Sequence, residues 1–149
     1  MQQLNKLLLL AVLFCLLPSG SFAQKSARKT RKPSTAPIVV DDAIGRAFAN
    51  RTSDVQVKGE GRVTRLLSDD ENGSRHQRFI VKLASGQTLL IAHNIDIAPR
   101  ISGLAVNDRV RFYGEYVWNE KGGTIHWTHR DPRGKHVAGW VVHNGKTYQ

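Results

Sequence analysis

The chain has 149 residues, a formal net charge of +10 and one cysteine. This length is enough for one domain with a real hydrophobic core. The cysteine, Cys15, lies inside an N-terminal apolar run. A chain that loses this run has neither a disulfide nor thiolate chemistry. The composition therefore excludes a disulfide scaffold, a cysteine nucleophile and a cysteine-ligated metal site.

The first 23 residues have the pattern of a secretory signal peptide. Lys6 precedes an apolar run at residues 7–17, Pro18 breaks the run, and residues 21–23 offer the small side chains that a signal peptidase needs. The run is too short for a membrane-spanning helix. A short N-terminal anchor is the alternative. We therefore expect export to the periplasm or the exterior, with no transmembrane segment in the mature chain.

Half of the excess charge is concentrated in a short segment after this signal. Residues 25–32 contain five basic and no acidic residues, whereas residues 41–149 contain 16 basic and 12 acidic residues. Such a basic segment is typical of a solvated linker, and attraction to nucleic acid, glycans or membranes is the functional alternative. The expected organisation is a signal peptide at 1–23, a disordered linker at 24–40 and one domain at 41–149.

The domain is expected to open with a short helix and to continue as strands. Residues 41–50 start with Asp41, which can cap free amide groups, and place Ile44, Ala47 and Phe48 on one narrow apolar face. Beyond the helix, alternation of apolar and polar residues indicates strands. The expected strands are 55–64, 76–84, 87–95, 109–118, 124–128 and a short one at 140–143.

The order of these elements resembles an oligonucleotide/oligosaccharide-binding (OB) barrel. The first and fourth strands are long, and Gly59 and Gly61 let the first one coil around a small barrel. Pro99 and Gly103 interrupt the link in which OB barrels usually carry a helix. A small β-sandwich is the alternative. We predict an all-β fold, a small five-stranded OB-like Greek-key barrel preceded by a short N-terminal helix.

Three sequence blocks also resemble a known family. The HQRF, AHNID and HWTH-DP blocks, within residues 59–149, resemble the bacterial family catalogued as domain of unknown function 3465. That family brings no established activity, so the resemblance implies a lineage and not a mechanism. The order of signal peptide, helix and barrel is also similar, in architecture only, to periplasmic bacterial OB-fold proteins.

The predicted hairpin supplies the first candidate site. If Ser85 and Gly86 form a two-residue turn, Arg78 lies opposite His93 with His76 diagonally beside it, on the face away from the core. OB barrels bind ligands on this part of the sheet. A register shifted by one residue would break up the set, and cover by the helix or the C-terminal tail would leave no open face. The candidate ligand-binding residues are His76, Arg78, Lys82, His93 and Asn94.

The second candidate site is the segment 122–136, which holds three of the six histidines. On one regular strand His126 and His129 point to opposite faces, so they meet only if the chain bends, as Asp131-Pro132 allows. The candidate catalytic residues are His126, His129, Asp131 and His136, and the three histidines are candidate ligands of a divalent metal cofactor. Structural hydrogen bonds to loop carbonyls and carboxylates are the alternative.

These patterns favour a non-enzymatic binding module for an oligonucleotide, a glycan or a small anion. The alternative is a histidine-based hydrolase of phosphodiesters, with or without a metal ion. A pH-responsive envelope protein is a third hypothesis, because histidines gain charge below about pH 6.5. Tyr113, Trp118 and Trp140 are the aromatic side chains that could stack on a ligand. The acidic turn at residues 69–71 would repel nucleic acid beside the hairpin.

Overall fold

The computed structural model describes residues 43–149. The expectations for residues 1–23 and 24–40, and for Asp41 as a helix cap, lie outside this range. Within it, no helix is long and apolar enough to cross a membrane. The helix α1 is Ala43–Ala49, and the strands are β1 Val55–Leu66, β2 His76–Leu83, β3 Thr88–Asn94, β4 Arg109–Val117, β5 Thr124–His126, β6 Trp140–His143 and β7 Lys146–Tyr148.

The first five strands close into a barrel. Their order is β1-β2-β3-β5-β4, and β4 pairs back with β1. The pairing of β3 with β5 is parallel, whereas the other barrel pairings are antiparallel. A central hairpin with a parallel return is the Greek-key order of an OB barrel, so the fold predicted from the sequence is confirmed.

Alternating apolar side chains of β1 to β5 fill the barrel. Phe79, Ile91, Phe112 and Ile125 have no exposed surface. A Cβ atom at Gly59 would lie 2.4 Å from the Phe112 ring and 3.0 Å from Ile44. The missing side chain therefore lets α1 and the Phe112 ring pack against β1. The apolar face predicted for the helix is buried at Ile44 and Ala47.

The β2–β3 hairpin has a different register from the one predicted. Phe79 pairs with Ile91, and Gln77 pairs with His93. The connection is a three-residue loop closed by a hydrogen bond from Leu83 N to Gln87 O (2.9 Å). A two-residue type I′ turn needs positive φ at both central residues, and only Gly86 of that pair has it (90°). The predicted pairing of Arg78 with His93 is therefore wrong by one residue.

One edge of β4 is shared by β5 and β6. The residues 115–117 of β4 pair with β5, and residues 110–113 pair with β6. The chain therefore leaves the sheet after β5 and returns to the same edge at β6. The strand predicted at 140–143 is confirmed as β6, whereas β7 was missed. Asn144 and Gly145, both with positive φ, form the turn between them, and Asn-Gly is a strong hairpin signal in a sequence.

Candidate functional site

His93 lies inside the barrel and not on the predicted binding face. It has no exposed surface. Its Nε2 lies 3.1 Å from Pro99 O, and its Nδ1 lies 2.9 Å from Thr128 Oγ1. A carbonyl only accepts, so Nε2 carries the hydrogen and Nδ1 accepts from the Thr128 hydroxyl. Burial lowers the pKa of His93 from 6.5 to about 4. The imidazole is therefore neutral and links two segments inside the barrel. It faces the core because the observed register differs by one residue from the predicted one, and such a shift moves a side chain to the other face.

The other four predicted ligand-binding residues share the outer face of the hairpin. His76 pairs with Asn94, and Arg78 and Lys82 follow at the alternate positions of β2. Arg78 Nε donates to Ser68 O (3.1 Å), and Asn94 Oδ1 accepts from the Asp96 amide (2.9 Å). Arg78 and Asn94 thus also hold the neighbouring loops, whereas Lys82 is exposed.

A groove of about 480 Å³ lies on this outer face. Ile80 and Leu90, paired across β2 and β3 and half-buried, contribute apolar surface to it. Volumes of roughly 300–1,000 Å³ are usual for small-molecule sites. The groove is lined by Leu67, Ile80, Thr88, Leu89, Leu90, Asn119, Glu120, Lys121, Gly123 and Thr124. Leu67 follows β1, and residues 119–123 join β4 to β5. These are the two connections that border the ligand site in OB barrels.

The wall formed by the β4–β5 turn is held in place by its own hydrogen bonds. Asn119 Oδ1 accepts from the amides of Lys121 (2.9 Å) and Gly123 (3.2 Å), and its Nδ2 donates to Thr124 Oγ1 (3.1 Å). Gln87 Nε2 donates to Gly122 O (2.7 Å), which ties the turn to the hairpin. The groove is therefore preformed. Sequence reasoning missed Asn119 and Lys121 as candidate site residues, and the only available signal was their position after the fourth strand.

His126 lies beyond the groove on the same side of the barrel. It pairs with Glu115 of β4 and is half-buried. Burial lowers the pKa of His126, and the nearby His76 adds to the shift. The structure thus brings together His126 from the second predicted site and His76 from the first.

The rest of the histidine-rich segment forms a loop between β5 and β6. The loop begins at Trp127, whose φ of 51° turns the chain out of the strand, and it is closed by a hydrogen bond from Gly139 N to His129 O (3.0 Å). The predicted strand 124–128 therefore ends at His126. Trp127 stacks on His136, with ring centroids 3.6 Å apart, and contacts His129 with centroids 5.4 Å apart.

Asp131 organises this loop through its carboxylate. Oδ1 accepts from the amide of Arg133 (2.9 Å), and Oδ2 accepts from the amides of Lys135 (2.7 Å) and His136 (3.0 Å). The Arg133 amide, with those of Lys135 and His136, holds the pKa of Asp131 below its ordinary value. Both carboxylate oxygens are engaged by backbone, which is the structural role that local Asp hydrogen bonds play in turns.

The candidate metal ligands do not converge. Within residues 43–149, no group of three or more His, Asp or Glu side chains is arranged to hold a metal ion. His126 points out from β5, His136 stacks on Trp127, and His129 is 3% exposed with Nδ1 donating to Arg130 O (2.8 Å). The structure therefore does not bring the candidate ligands His126, His129 and His136 together, because Trp127 directs the chain away from the strand on which His126 lies.

Comparison with known proteins adds a lineage to this geometry. No curated protein and no solved structure matches the chain. A family model described as "Protein of unknown function (DUF3465)" matches residues 31–149. This match covers the whole barrel, the groove and the histidine-rich loop, and it agrees with the resemblance carried by the HQRF, AHNID and HWTH-DP blocks. The chain belongs to the DUF3465 family.

Proposed function

We propose that the chain is an exported binding module that takes a short polar or anionic ligand, such as an oligosaccharide or oligonucleotide segment, in the groove between the β2–β3 hairpin and the β4–β5 turn. The observation that carries the proposal is the preformed groove of about 480 Å³. Its position matches the ligand site of OB barrels, and its size suits a ligand of one or two ring systems.

The chemistry of the groove supports a ligand with one apolar face and several polar groups. Ile80 and Leu90 provide the apolar surface on which a sugar or base ring can lie, and Lys121, Thr88 and Thr124 provide polar groups around it. Along the strands, the outer face continues from Ile80 to Arg78 and His76. A ligand longer than the groove would therefore extend toward a cation and hydrogen-bonding imidazoles.

The groove is not covered by the described elements that could have closed it. The helix α1 packs at β1, where Ile44 approaches Gly59. The C-terminal hairpin β6–β7 pairs with β4. Within residues 43–149, both elements lie away from Ile80 and Leu90, which supports an open binding face.

Isothermal titration with a panel of neutral oligosaccharides, uronic-acid oligosaccharides and dinucleotides tests the proposal. We expect one class to bind, the binding to survive a chelator, and the affinity of a charged ligand to fall with salt. The variant Leu90→Asp places a charge in the groove and is expected to weaken binding at least about tenfold. Ile97→Asp is the control, since Ile97 is an exposed aliphatic residue in the connection between β3 and β4 and does not line the groove.

Loss of binding in both variants, or in neither, would contradict the groove as the site. Circular dichroism spectra of both variants establish that the barrel remains folded. The proposal also includes export, for which the signal-like pattern of residues 1–23 is the support.

A histidine-based hydrolase remains the alternative proposal, with less support. It needs a base and a carboxylate that are free to act on a substrate. His129 is buried, and the Asp131 carboxylate is engaged by three backbone amides. Turnover of bis(4-nitrophenyl) phosphate that disappears in His129→Ala, with the fold intact, would favour the hydrolase over the binding module.

A further inference from the structure

A second surface of the barrel, distinct from the groove, combines cations with aromatic rings. It lies on the outer faces of β1, β4 and β6, and we name it the cationic strip. Cross-strand pairing builds it in rows: Lys58 pairs with Tyr113 and Tyr113 with Trp140, while Arg62 pairs with Arg109. Between these rows lies the pair of Glu60 and Arg111. The strip consists of Lys58, Arg62, Arg109, Arg111, Tyr113 and Trp140.

The strip carries a positive surplus that its own neighbours do not neutralise. Glu60, the one acidic residue among these rows, forms an ion pair with Arg109 (3.0 Å). Lys58, Arg62 and Arg111 are exposed, and within residues 43–149 none of them has a carboxylate at ion-pair distance. Rows two residues apart along a strand are separated by about 7 Å, so the cations are spread over roughly 14 Å. Spread cations favour a ligand with repeated negative charges.

The aromatic end of the strip offers a surface for planar groups. The rings of Tyr113 and Trp140 are both half-buried, with centroids 6.1 Å apart and planes inclined by 36°. Lys58 Nζ lies 5.6 Å from the centre of the Trp140 ring. Nucleobases stack on exposed aromatic rings, and a cation beside the ring adds to the attraction for the adjoining phosphate.

The arginine end of the strip has two depressions suited to phosphate groups. One, of about 330 Å³, is bordered by Arg62, Asn107 and Arg109. The other, of about 260 Å³, is bordered by Arg109, Arg111 and the Asn144-Gly145 turn. Arginine guanidinium groups bind phosphate through paired N–H donors. The strip therefore presents two arginine-bordered depressions at one end and stacking rings at the other. Glu60 also lines both depressions, and its carboxylate is ion-paired with Arg109.

We propose that the cationic strip is a second binding surface, which takes a single-stranded polynucleotide with its bases on Tyr113 and Trp140 and its phosphates along Arg111, Arg109 and Arg62. A single strand is favoured over a duplex, because only unpaired bases present their faces to a ring. Base stacking separates this ligand from a sulfated glycan, whose charge the strip would also attract.

For a polynucleotide longer than the short segments that fit the groove, the distribution of charge favours the strip. The acidic turn lies at the hairpin side, where Asp70 approaches Arg78 (3.6 Å) and Asp69 pairs with Arg100. Beside Tyr113, the loop closed by His129 and Gly139 carries three exposed cations against the one carboxylate of Asp131. The cations are Arg130, Arg133 and Lys135. The acidic residues at the hairpin offset the charge of their arginine partners, whereas the positive surplus of the strip and of this loop attracts a polyanion.

Fluorescence anisotropy with labelled oligo(dT) and the full chain tests this inference. Arg111→Gln is expected to weaken binding and to reduce the slope of log K against log salt by about 0.7, since one phosphate contact is lost. Trp140→Ala is expected to weaken binding about tenfold with the slope unchanged, because stacking releases no counterions. The basic segment at residues 25–32 is common to all variants, so the differences report the strip alone.

Matched variants make the outcome decisive. Arg75 lies in the β1–β2 connection and pairs with Asp96. Arg75→Gln removes this cation and is expected to leave the slope of log K against log salt unchanged. Tyr113→Leu repeats the stacking test should Trp140→Ala fail to fold. Oligo(dT) binding is also expected to exceed that of an abasic strand of equal length. Equal binding of the abasic strand, of a duplex or of a sulfated glycan would overturn the inference.

The proposal for the groove and the proposal for the strip can be contradicted independently. Leu90→Asp is expected to weaken oligo(dT) binding less than Arg111→Gln does. If that variant abolishes the binding and Arg111→Gln does not, the polynucleotide lies in the groove, and the inference fails while the proposed function stands.

Discussion

His93 Nδ1 lies 2.9 Å from Thr128 Oγ1 in the interior of the barrel, which joins β3 to the residue that follows the outward turn at Trp127. The other ring nitrogen donates to Pro99 O in the long link between β3 and β4. One neutral imidazole therefore ties together three parts of the chain that are distant in sequence. A protonated imidazole would require the Thr128 hydroxyl to accept instead of donate and would leave a buried charge.

The first prediction concerns the pH dependence that follows from this burial. The pKa of His93 is about 4 in the folded protein, against 6.5 for an exposed histidine. Between these pH values the unfolded chain binds a proton at His93 that the folded protein does not bind. Part of the free energy of unfolding is therefore lost as the pH falls from 6.5 to 4. The loss due to His93 is about 3 kcal/mol.

Urea unfolding of the wild type and of His93→Gln at pH 7.5, 5.5 and 4.5 measures this effect. We expect a steeper decline in the wild type, and parallel declines would contradict the assignment. The same result bears on the hypothesis of a pH-responsive protein. Within residues 43–149, His93 and His126 both have lowered pKa values, so each gains less charge in mild acid than an exposed histidine does.

The second prediction is that Asp131 is a structural residue of the loop between β5 and β6. In Asp131→Asn the side-chain NH₂ replaces one accepting oxygen, so either the Arg133 amide or the amides of Lys135 and His136 lose their acceptor. We expect faster hydrogen exchange at these amides, with little change in the melting temperature of the barrel. Since the amides lower the pKa of Asp131, their protection in the wild type should persist at pH 5 and be lost only as the pH falls through that lowered value.

Hydrogen exchange read by mass spectrometry checks this prediction. Asp54→Asn, at an exposed position just before β1, is the control. Unchanged exchange in the loop of Asp131→Asn would contradict the structural role. Loss of an enzymatic activity without loosening of the loop would instead support the catalytic role considered from the sequence.

The third prediction is that the histidine-rich loop holds no tightly bound transition metal. His136 stacks on Trp127, and His129 Nδ1 donates to Arg130 O. The Asp131 carboxylate is occupied by backbone amides. Protein purified without a histidine tag or added metal is expected to show the mass of the polypeptide alone, with a melting temperature unaffected by chelator. A stoichiometric metal in native mass spectrometry that disappears in His129→Ala would refute this prediction.

The fourth prediction concerns export. If residues 1–23 are a signal peptide, the chain expressed in a Gram-negative host is expected to leave the cytoplasm and to begin at Gln24. Ala23→Arg removes the small residue before the cleavage site and should leave the precursor uncleaved. Ala27→Arg is the matched control beyond that site. An intact precursor mass for the wild type would contradict the prediction.

The candidate sites show where sequence reasoning held and where it failed. Alternation predicted the strand at 109–118, and in β4 the residues Arg109, Arg111 and Tyr113 lie on the face away from the core. The hairpin register was wrong by one residue because the sequence Ser-Gly is compatible with both a two-residue and a three-residue loop. The strand at 124–128 was two residues too long because nothing in the sequence announces a left-handed backbone at Trp127.

The sequence by itself determined the order of strands, the short helix and the membership of DUF3465, because these depend on local periodicity, turn residues and shared blocks. Only the tertiary structure decided which histidines share a surface. His93 lies inside the barrel, and His126 lies near His76. His129 and His136 both contact Trp127. The physical reason is that the face on which a side chain lies depends on strand register and on closure of the barrel. One additional residue in a loop shifts the register and exchanges the two faces of the strand.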